Sequence, residues 1–334
     1  IILFLLMSKK FRAIVVKKNN DQISISIDER TTDDLPNGDL LVRVEYSSLN
    51  YKDALSASGA KGVTKNYPHT PGIDAAGIVE QSNQKNFPVG SSVIVTGFDL
   101  GMNTSGGFSE YIRIPSQWAV QCPNGLSTKE SMMLGTAGLT AGLAVNSMKK
   151  VCDIKNSKIV VSGATGGVGS IGINLLSNLG AKVTAITGKM DKKNLLKELG
   201  ATTVLDRGHF VDTTRLPLDQ GRYHAALDVV GGTMLSSMLA RMIPNGVIAV
   251  CGNVGGPKFK TTVFPFILRG NSLVGIDSAN APINIREMIW KHFCEDWKLN
   301  EIEKFSKIVD LENMVPEIRK ILAGKQTGRI ILEL

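Results

Sequence analysis

The stretch VVSGATGGVGSIG, residues 160–172, decides how the rest of the chain is read. An apolar run ends in a turn made of Gly163, Ala164, Thr165, Gly166, Gly167, Val168 and Gly169, and a helical pattern, SIGINLLSNLG, follows it. Strand, glycine turn and helix in that order are the setting of a dinucleotide site. The glycines let the backbone approach a pyrophosphate, and the helix start offers free N–H groups and the positive end of its dipole. A glycine turn alone is equally a tight turn. Here a second strand, KVTAITG, completes a βαβ unit. Helix KKNLLKELG, strands TTVLD and YHAALDVVG, helix MLSSMLARM and strand GVIAVCG continue the alternation. Such alternation predicts a parallel sheet covered on both faces. Upstream, STKESMMLGTAGLTAGLAVNSM opens with a capping signal at Ser127 and Glu130 and predicts a long helix loosened by glycines.

Earlier still, from Phe11 to Ile114, short strands separated by Asn, Asp, Gly and Pro clusters predict an antiparallel, mostly β unit. After Ser278 the chain returns to mixed character, with an amphipathic helix around NIREMIWKHFCEDW and a final strand GRIILEL. The 334 residues, 43% hydrophobic and 20% charged, suffice for two domains. The net charge of +8 is carried by short pairs such as Lys9-Lys10, Lys149-Lys150 and Lys192-Lys193. Without a basic tract this favours anionic cofactors and substrates over nucleic acid. Cys122, Cys152, Cys251 and Cys294 form no metal-type cluster and fit a reducing cytoplasm. The opening IILFLL is too short to span a membrane, and Met7 reads as the natural start, making residues 1–8 an upstream or disordered tail.

The end of the second Rossmann-type strand discriminates between nicotinamide cofactors. An acid there holds the ribose hydroxyls of NAD, whereas this chain has Thr187, Gly188 and Lys189, with Lys192 and Lys193 behind them. A hydroxyl and cations suit the 2′-phosphate of NADPH. Asp191 lies beyond the glycine, where an acid serves equally as a helix cap. A second question is posed by HTPGIDAAGIVE, residues 69–80, which sets Asp74 among small apolar residues. Such a carboxylate either faces water or meets donors from elsewhere in the chain.

SSLNYKDAL, PHTPGIDAAGIV, GTAGLTA, SGATGGVGS, TGK and TTVFPFILRGNSLVGIDS together resemble the medium-chain dehydrogenase/reductase superfamily, and within it the quinone-oxidoreductase-like YhdH/YhfP branch. The resemblance implies an α/β fold. A GroES-like β domain (9–128 and 275–334) is interrupted by a Rossmann domain with a doubly wound parallel sheet (129–274). It also implies NADPH-dependent reduction of an activated C=C bond, acryloyl-CoA to propionyl-CoA, with a quinone or reactive enal as the alternative substrate. A non-catalytic NADPH-binding protein is the alternative of another class. Thr140, Gly252, Phe266 and Ile267 join the glycine turn and Thr187–Lys189 as cofactor residues, and a homodimer is expected through NSLVGIDS.

Zinc-dependent relatives carry a Cys where this chain has Asn50 and a His where it has Ile73. Too few ligands remain, so no metal is expected. Asn50 instead becomes the candidate donor to Asp74, with Asn50, Asp74 and Tyr51 as the catalytic candidates. The same Asn50–Asp74 pair suits a purely structural brace, and Tyr51 suits packing. Asp53 suits a helix cap, His69 a structural role, and Arg269 either a phosphate contact or the surface.

Overall fold

A computed structural model of the protein describes residues 8–20 and 22–334. Residues 1–7, and with them nearly all of the expected tail, lie outside the described residues. The chain divides into two compact units. One comprises the residues up to Thr136, Ala279–Glu287 and Ser306–Leu334; the other comprises Ala137–Ser278 and Met288–Phe305. The sequence places its junctions instead after residues 128 and 274. Residues 288–305 go with the second unit because Ile289, Phe293 and Trp297 pack on Gly142, where an added Cβ would lie 2.6 Å from the Ile289 side chain.

The first unit begins with β1 (Lys10–Asn19) and β2 (Gln22–Thr31), an antiparallel hairpin. It continues through β3 (Leu40–Ser48), α1 (Tyr51–Ala57), β4 (Asp74–Ser82), β5 (Ser92–Thr96), β6 (Tyr111–Ile114) and β7 (Ala119–Gln121). The helix α2 (Thr128–Lys149) then leads to β8 (Lys158–Val161), α3 (Gly167–Asn178), β9 (Lys182–Thr187), α4 (Lys193–Glu198) and β10 (Ala201–Asp206). Next come α5 (Arg207–Asp212), β11 (Tyr223–Asp228), α6 (Gly232–Ala240), β12 (Met242–Val250), α7 (Phe264–Ile267) and β13 (Ser272–Gly275). The chain ends with α8 (Ile283–Cys294), β14 (Ser306–Val309), α9 (Leu311–Leu322) and β15 (Arg329–Glu333).

In the first unit a seven-stranded sheet runs β14-β15-β3-β4-β5-β7, with β6 also paired to β3. Alternate residues Leu40, Val42 and Val44 of β3 face one core with Ala75, Val79, Val93 and Val95, as the two-residue period of strands requires. A second core holds Ala54 and Ala57 of α1 against Leu311, Met314 and Ile318 of α9 and Ile330 and Leu332 of β15. The spacing of the α9 residues is that of one helix face. This packing fixes α1, which carries Tyr51.

In the second unit six parallel strands run β10-β9-β8-β11-β12-β13. Counted from β8 this is the 3-2-1-4-5-6 order of a Rossmann sheet, whose ligand crevice lies where the order reverses. Val160, Val183, Ala185, Ala226 and Ile248 are wholly buried, as strands covered on both faces must be. The glycine turn follows β8, at that reversal.

Candidate functional site

Asp74 opens β4 and is fully buried. Four donors meet its carboxylate. Ser48 Oγ, Asn50 Nδ2 and the Thr136 N–H donate to Oδ2 at 2.6, 2.7 and 2.8 Å, and Thr136 Oγ1 donates to Oδ1 at 2.5 Å. The Thr136 N–H is available because α2 breaks at Gly135, whose φ of 53° and ψ of −154° interrupt the helical ladder. Asp74 therefore caps the helix where it restarts. Arg329 of β15, 2% exposed, stands 3.9 Å from Oδ2 as the counter-charge.

Asn50 is the residue before α1, and its side chain is fully engaged. Nδ2 donates to Asp74 and to the Ser48 carbonyl (3.2 Å), while Oδ1 accepts from Arg329 Nη1 at 3.3 Å. Its backbone N–H donates to Asp53 Oδ2 at 2.7 Å, and the Ile73 N–H donates to Asp53 Oδ1 at 2.7 Å. Asp53 thus braces both segments that meet here. Burial, reinforced by the charge of Asp74, pushes its carboxyl up to about 7. Burial also draws the Arg329 guanidinium below its ordinary value, against the opposing pull of Asp74 and Asp53.

Tyr51, the first residue of α1, is 37% exposed. Among the described residues its hydroxyl has no hydrogen-bond partner. His69 is buried, with Nε2 2.8 Å from the Gly101 carbonyl, and burial lowers its pKa. Among the described residues no group of three or more His, Cys, Asp or Glu has the arrangement of a metal site.

In the second unit the glycines of the turn divide by what surrounds them. Gly163 has φ 56° and a Cβ there would strike Val229 at 2.4 Å; one on Gly169 would come within 2.4 Å of the Gly163 carbonyl. Packing requires both. Gly166, the residue before α3, has φ −81°, and its Cβ would meet only the Gly163 carbonyl, at 3.3 Å. Space beside this backbone is open, and the residues fit a pyrophosphate seated on the helix start. Thr165 is buried, and Gly167 and Val168 open the first turn of α3.

At the end of β9 the Lys189 N–H donates to Thr187 Oγ1 at 2.9 Å, and burial lowers the Lys189 pKa. Asp191 is turned outward and pairs with Lys192 at 3.2 Å. The guanidinium of Arg207, at the start of α5, lies 3.3 Å from where a Cβ on Gly188 would sit. Sequence reasoning passed over Arg207 because it follows a different strand. Gly252 lies so near the Val229 carbonyl, 2.0 Å from a notional Cβ, that only glycine fits. Thr140 is buried and donates to Ser278 Oγ at 2.8 Å. Phe266 packs partly against the Rossmann core, while Ile267 is 68% exposed; both lie on the helical turn α7. Arg269 donates to the carbonyls of Ala240, Met242 and Asp219, closing the end of α6.

Comparison with known proteins follows the same division. Residues 36–124 match the alcohol dehydrogenase GroES-like domain and residues 167–292 match the zinc-binding dehydrogenase family. The chain is 39% identical over 330 residues to YhfP of Bacillus subtilis, named as a quinone oxidoreductase, covering 98% of this chain and 100% of that one. The YhfP crystal structure with NAD bound superposes with a TM-score of 0.95. Acrylyl-CoA reductase AcuI of Ruegeria pomeroyi is 35% identical over 327 residues, 97% of this chain and 99% of that one. The YhdH oxidoreductase of Salmonella enterica, crystallised with NADP, is 35% identical, with a TM-score of 0.93 over 97% of this chain and 99% of that one.

Proposed function

Since the chain belongs to the medium-chain dehydrogenase/reductase superfamily, in its quinone-oxidoreductase-like YhdH/YhfP branch, we propose that it is a zinc-independent, NADPH-dependent reductase of an activated carbon–carbon double bond, acting on acryloyl-CoA to give propionyl-CoA. The observation that carries this reading is the glycine turn, where packing explains Gly163 and Gly169 but leaves Gly166 open to a ligand. Lys189, which follows Gly188 in the chain, and Arg207, whose guanidinium lies 3.3 Å from a notional Cβ on Gly188, would supply the charge that a 2′-phosphate requires.

NADPH, when bound, supplies a hydride for the β-carbon of the substrate. The electron pair of the double bond then moves toward the thioester oxygen, and the α-carbon takes a proton. A donor near that oxygen lowers the barrier. Both hydrogens of Asn50 Nδ2 are committed within the protein, so the donor assigned here is the Tyr51 hydroxyl. Asn50 and Asp74 act by holding the start of α1, and with it Tyr51.

The second reading, a quinone or enal reductase, is favoured by the name of YhfP, the more similar of the two curated relatives. NADPH oxidation measured with acryloyl-CoA, crotonyl-CoA and a benzoquinone side by side separates the two. Turnover of the thioesters above that of the quinone is expected, and the reverse order selects the second reading. NADPH binding without turnover of any acceptor selects a non-catalytic binding protein.

The proposal extends to assembly. β13 ends the Rossmann sheet, and Val263, Phe264, Ile267 and Leu268 nearby are exposed, which supports a homodimer built on that edge. The four cysteines form no disulfide among the described residues, which supports a cytoplasmic location. Among the described residues no helix is long and apolar enough to cross a membrane.

A further inference from the structure

We infer that Arg329 is a positioning residue of this reductase, fixing the orientation of the Asn50 amide and through it the placement of Tyr51. The inference rests on the assignment of Tyr51 as the group that faces the substrate.

All three guanidinium nitrogens are engaged. Nε donates to the Met133 carbonyl at 3.1 Å; Nη1 donates to the Leu49 carbonyl and to Asn50 Oδ1, both at 3.3 Å; Nη2 donates to Ser48 Oγ at 2.7 Å and to the Met132 carbonyl at 3.4 Å. Met132 and Met133 lie in the last turn of the first part of α2, so the cation closes their carbonyls on one side of the Gly135 break. On the other side Asp74 accepts from Thr136. Each charge stands at the helix end whose dipole it complements.

Two hydrogen-bonded routes join this cation to Asp74. One passes through Ser48, which accepts from Arg329 and donates to the carboxylate; the other passes through Asn50 in the same sense. An asparagine amide has nearly the same shape either way round. Turned over here, it would aim its N–H groups at the guanidinium and its oxygen at the carboxylate. The cation therefore selects one orientation, and lysine, a point charge without a planar fork, cannot reproduce it. The charged groups facing one another in this cluster are Asp74 of β4, Asp53 of α1 and Arg329 of β15; Ser48, Asn50 and Thr136 are neutral.

The test compares wild type, Arg329→Lys, Arg329→Gln, Asn50→Ala and the Arg329→Lys/Asn50→Ala double variant, each checked for thermal midpoint and NADPH affinity, with whichever acceptor the wild type turns over. In Arg329→Lys, kcat is expected to fall about tenfold, with KM for the acceptor within about twofold and the pH midpoint of kcat unchanged, since the charge remains. Adding Asn50→Ala to it is expected to cause no further loss, because both changes remove the same restraint. In Arg329→Gln the midpoint is expected to move up by about one unit, as the Asp53 carboxyl loses the buried cation that favours its charged form. A uniform loss of kcat with an unmoved midpoint in Arg329→Gln, or additive losses in the double variant, would leave Arg329 merely structural and overturn the inference. If Arg329→Gln does not fold, the lysine cycle decides alone. A wild type inert toward every acceptor overturns the reductase reading itself, which is a different outcome from active wild type and unaffected variants.

Discussion

The carboxylate of Asp74 and the backbone of Gly135 stand so close that a Cβ at Gly135 would lie 2.5 Å from Asp74 Oδ2. The same atom would lie 2.5 Å from Ser48 Oγ and 2.7 Å from Arg329 Nη2. A missing side chain thus makes room for three polar partners at the break in α2. The glycine also supplies a backbone conformation that other residues rarely adopt.

Replacing Gly135 by alanine is therefore expected to destabilise the fold twice over. Backbone strain at this φ and ψ costs about 1–3 kcal/mol, and the added methyl displaces at least one donor from Asp74. Denaturant unfolding measures the first effect. A kcat that falls even well below the melting range measures the second. An alanine variant with wild-type stability would mean the break in α2 is not held by the Asp74 cluster.

Substituting Asp74 by asparagine keeps the shape but removes the charge. Arg329 is then a buried cation without its partner, and the loss of one member of such a pair costs about 3–5 kcal/mol. The double change Asp74→Asn with Arg329→Gln, measured below about pH 7 where the buried Asp53 holds its proton, is expected to recover part of that loss, because no buried charge is then left without a partner. Equal destabilisation by the single and double variants would show that hydrogen bonding alone, rather than charge, governs the cluster.

Asp53 makes the protein sensitive to pH in a defined direction. Its folded pKa of about 7 stands above the ordinary 3.8, so between those values the folded state holds a proton that the unfolded state has released. Stability from this group is fully present below the unfolded pKa and is lost as pH rises toward the folded one. Asp53→Asn leaves one of the two N–H groups from Asn50 and Ile73 without its acceptor, an offset that does not depend on pH. Relative to wild type, the variant is expected to gain stability steadily across this window and then level off. Urea titrations at several pH values show the slope; parallel curves would remove Asp53 as the titrating group.

The parts legible in the sequence are those whose signal is local. Residues 160–188 carry strand, glycine turn, helix and strand in sequence order, and the Rossmann sheet follows from them. Asp74 was legible as a carboxylate in need of donors, and Asn50 as a donor only through family resemblance. Ser48 and Thr136 stand 26 and 62 positions from Asp74, and Arg329 stands 279 positions from Asn50, with nothing in the strand-like GRIILEL to say that its arginine points inward. Helix α1 spans seven residues and α7 four, too short for a helical period to show against a strand. The amphipathic α9 was missed because Pro316 sits within it, where a proline ordinarily ends a helix.

Under the proposed reading of the 2′-phosphate, cofactor choice is assigned to Lys189 and Arg207. A charge-assisted hydrogen bond to phosphate contributes about 1.5–3 kcal/mol, so alanine at either position is expected to raise the Kd for NADPH by roughly 10- to 100-fold. The Kd for NADH is expected to change by less than about threefold, since it has no 2′-phosphate to lose. Nicotinamide fluorescence reads both. A preference for NADH already in the wild type, as the NAD bound in YhfP would foreshadow, sinks this assignment.

Gly166→Ala separates ligand binding from packing within one loop. The backbone there, φ −81° and ψ 172°, is ordinary for alanine, and the new Cβ meets only the Gly163 carbonyl at 3.3 Å. A stability change below about 1 kcal/mol is expected. A pyrophosphate seated against the same backbone would be pushed away, and NADPH affinity is expected to fall at least about tenfold. Gly169→Ala should do the opposite in rank, because its Cβ would enter the Gly163 carbonyl at 2.4 Å and the turn must distort before any ligand arrives. Melting temperature and NADPH affinity measured on both variants place the two glycines apart. Gly166→Ala with full affinity would mean the open space beside that residue is not where the cofactor phosphates lie.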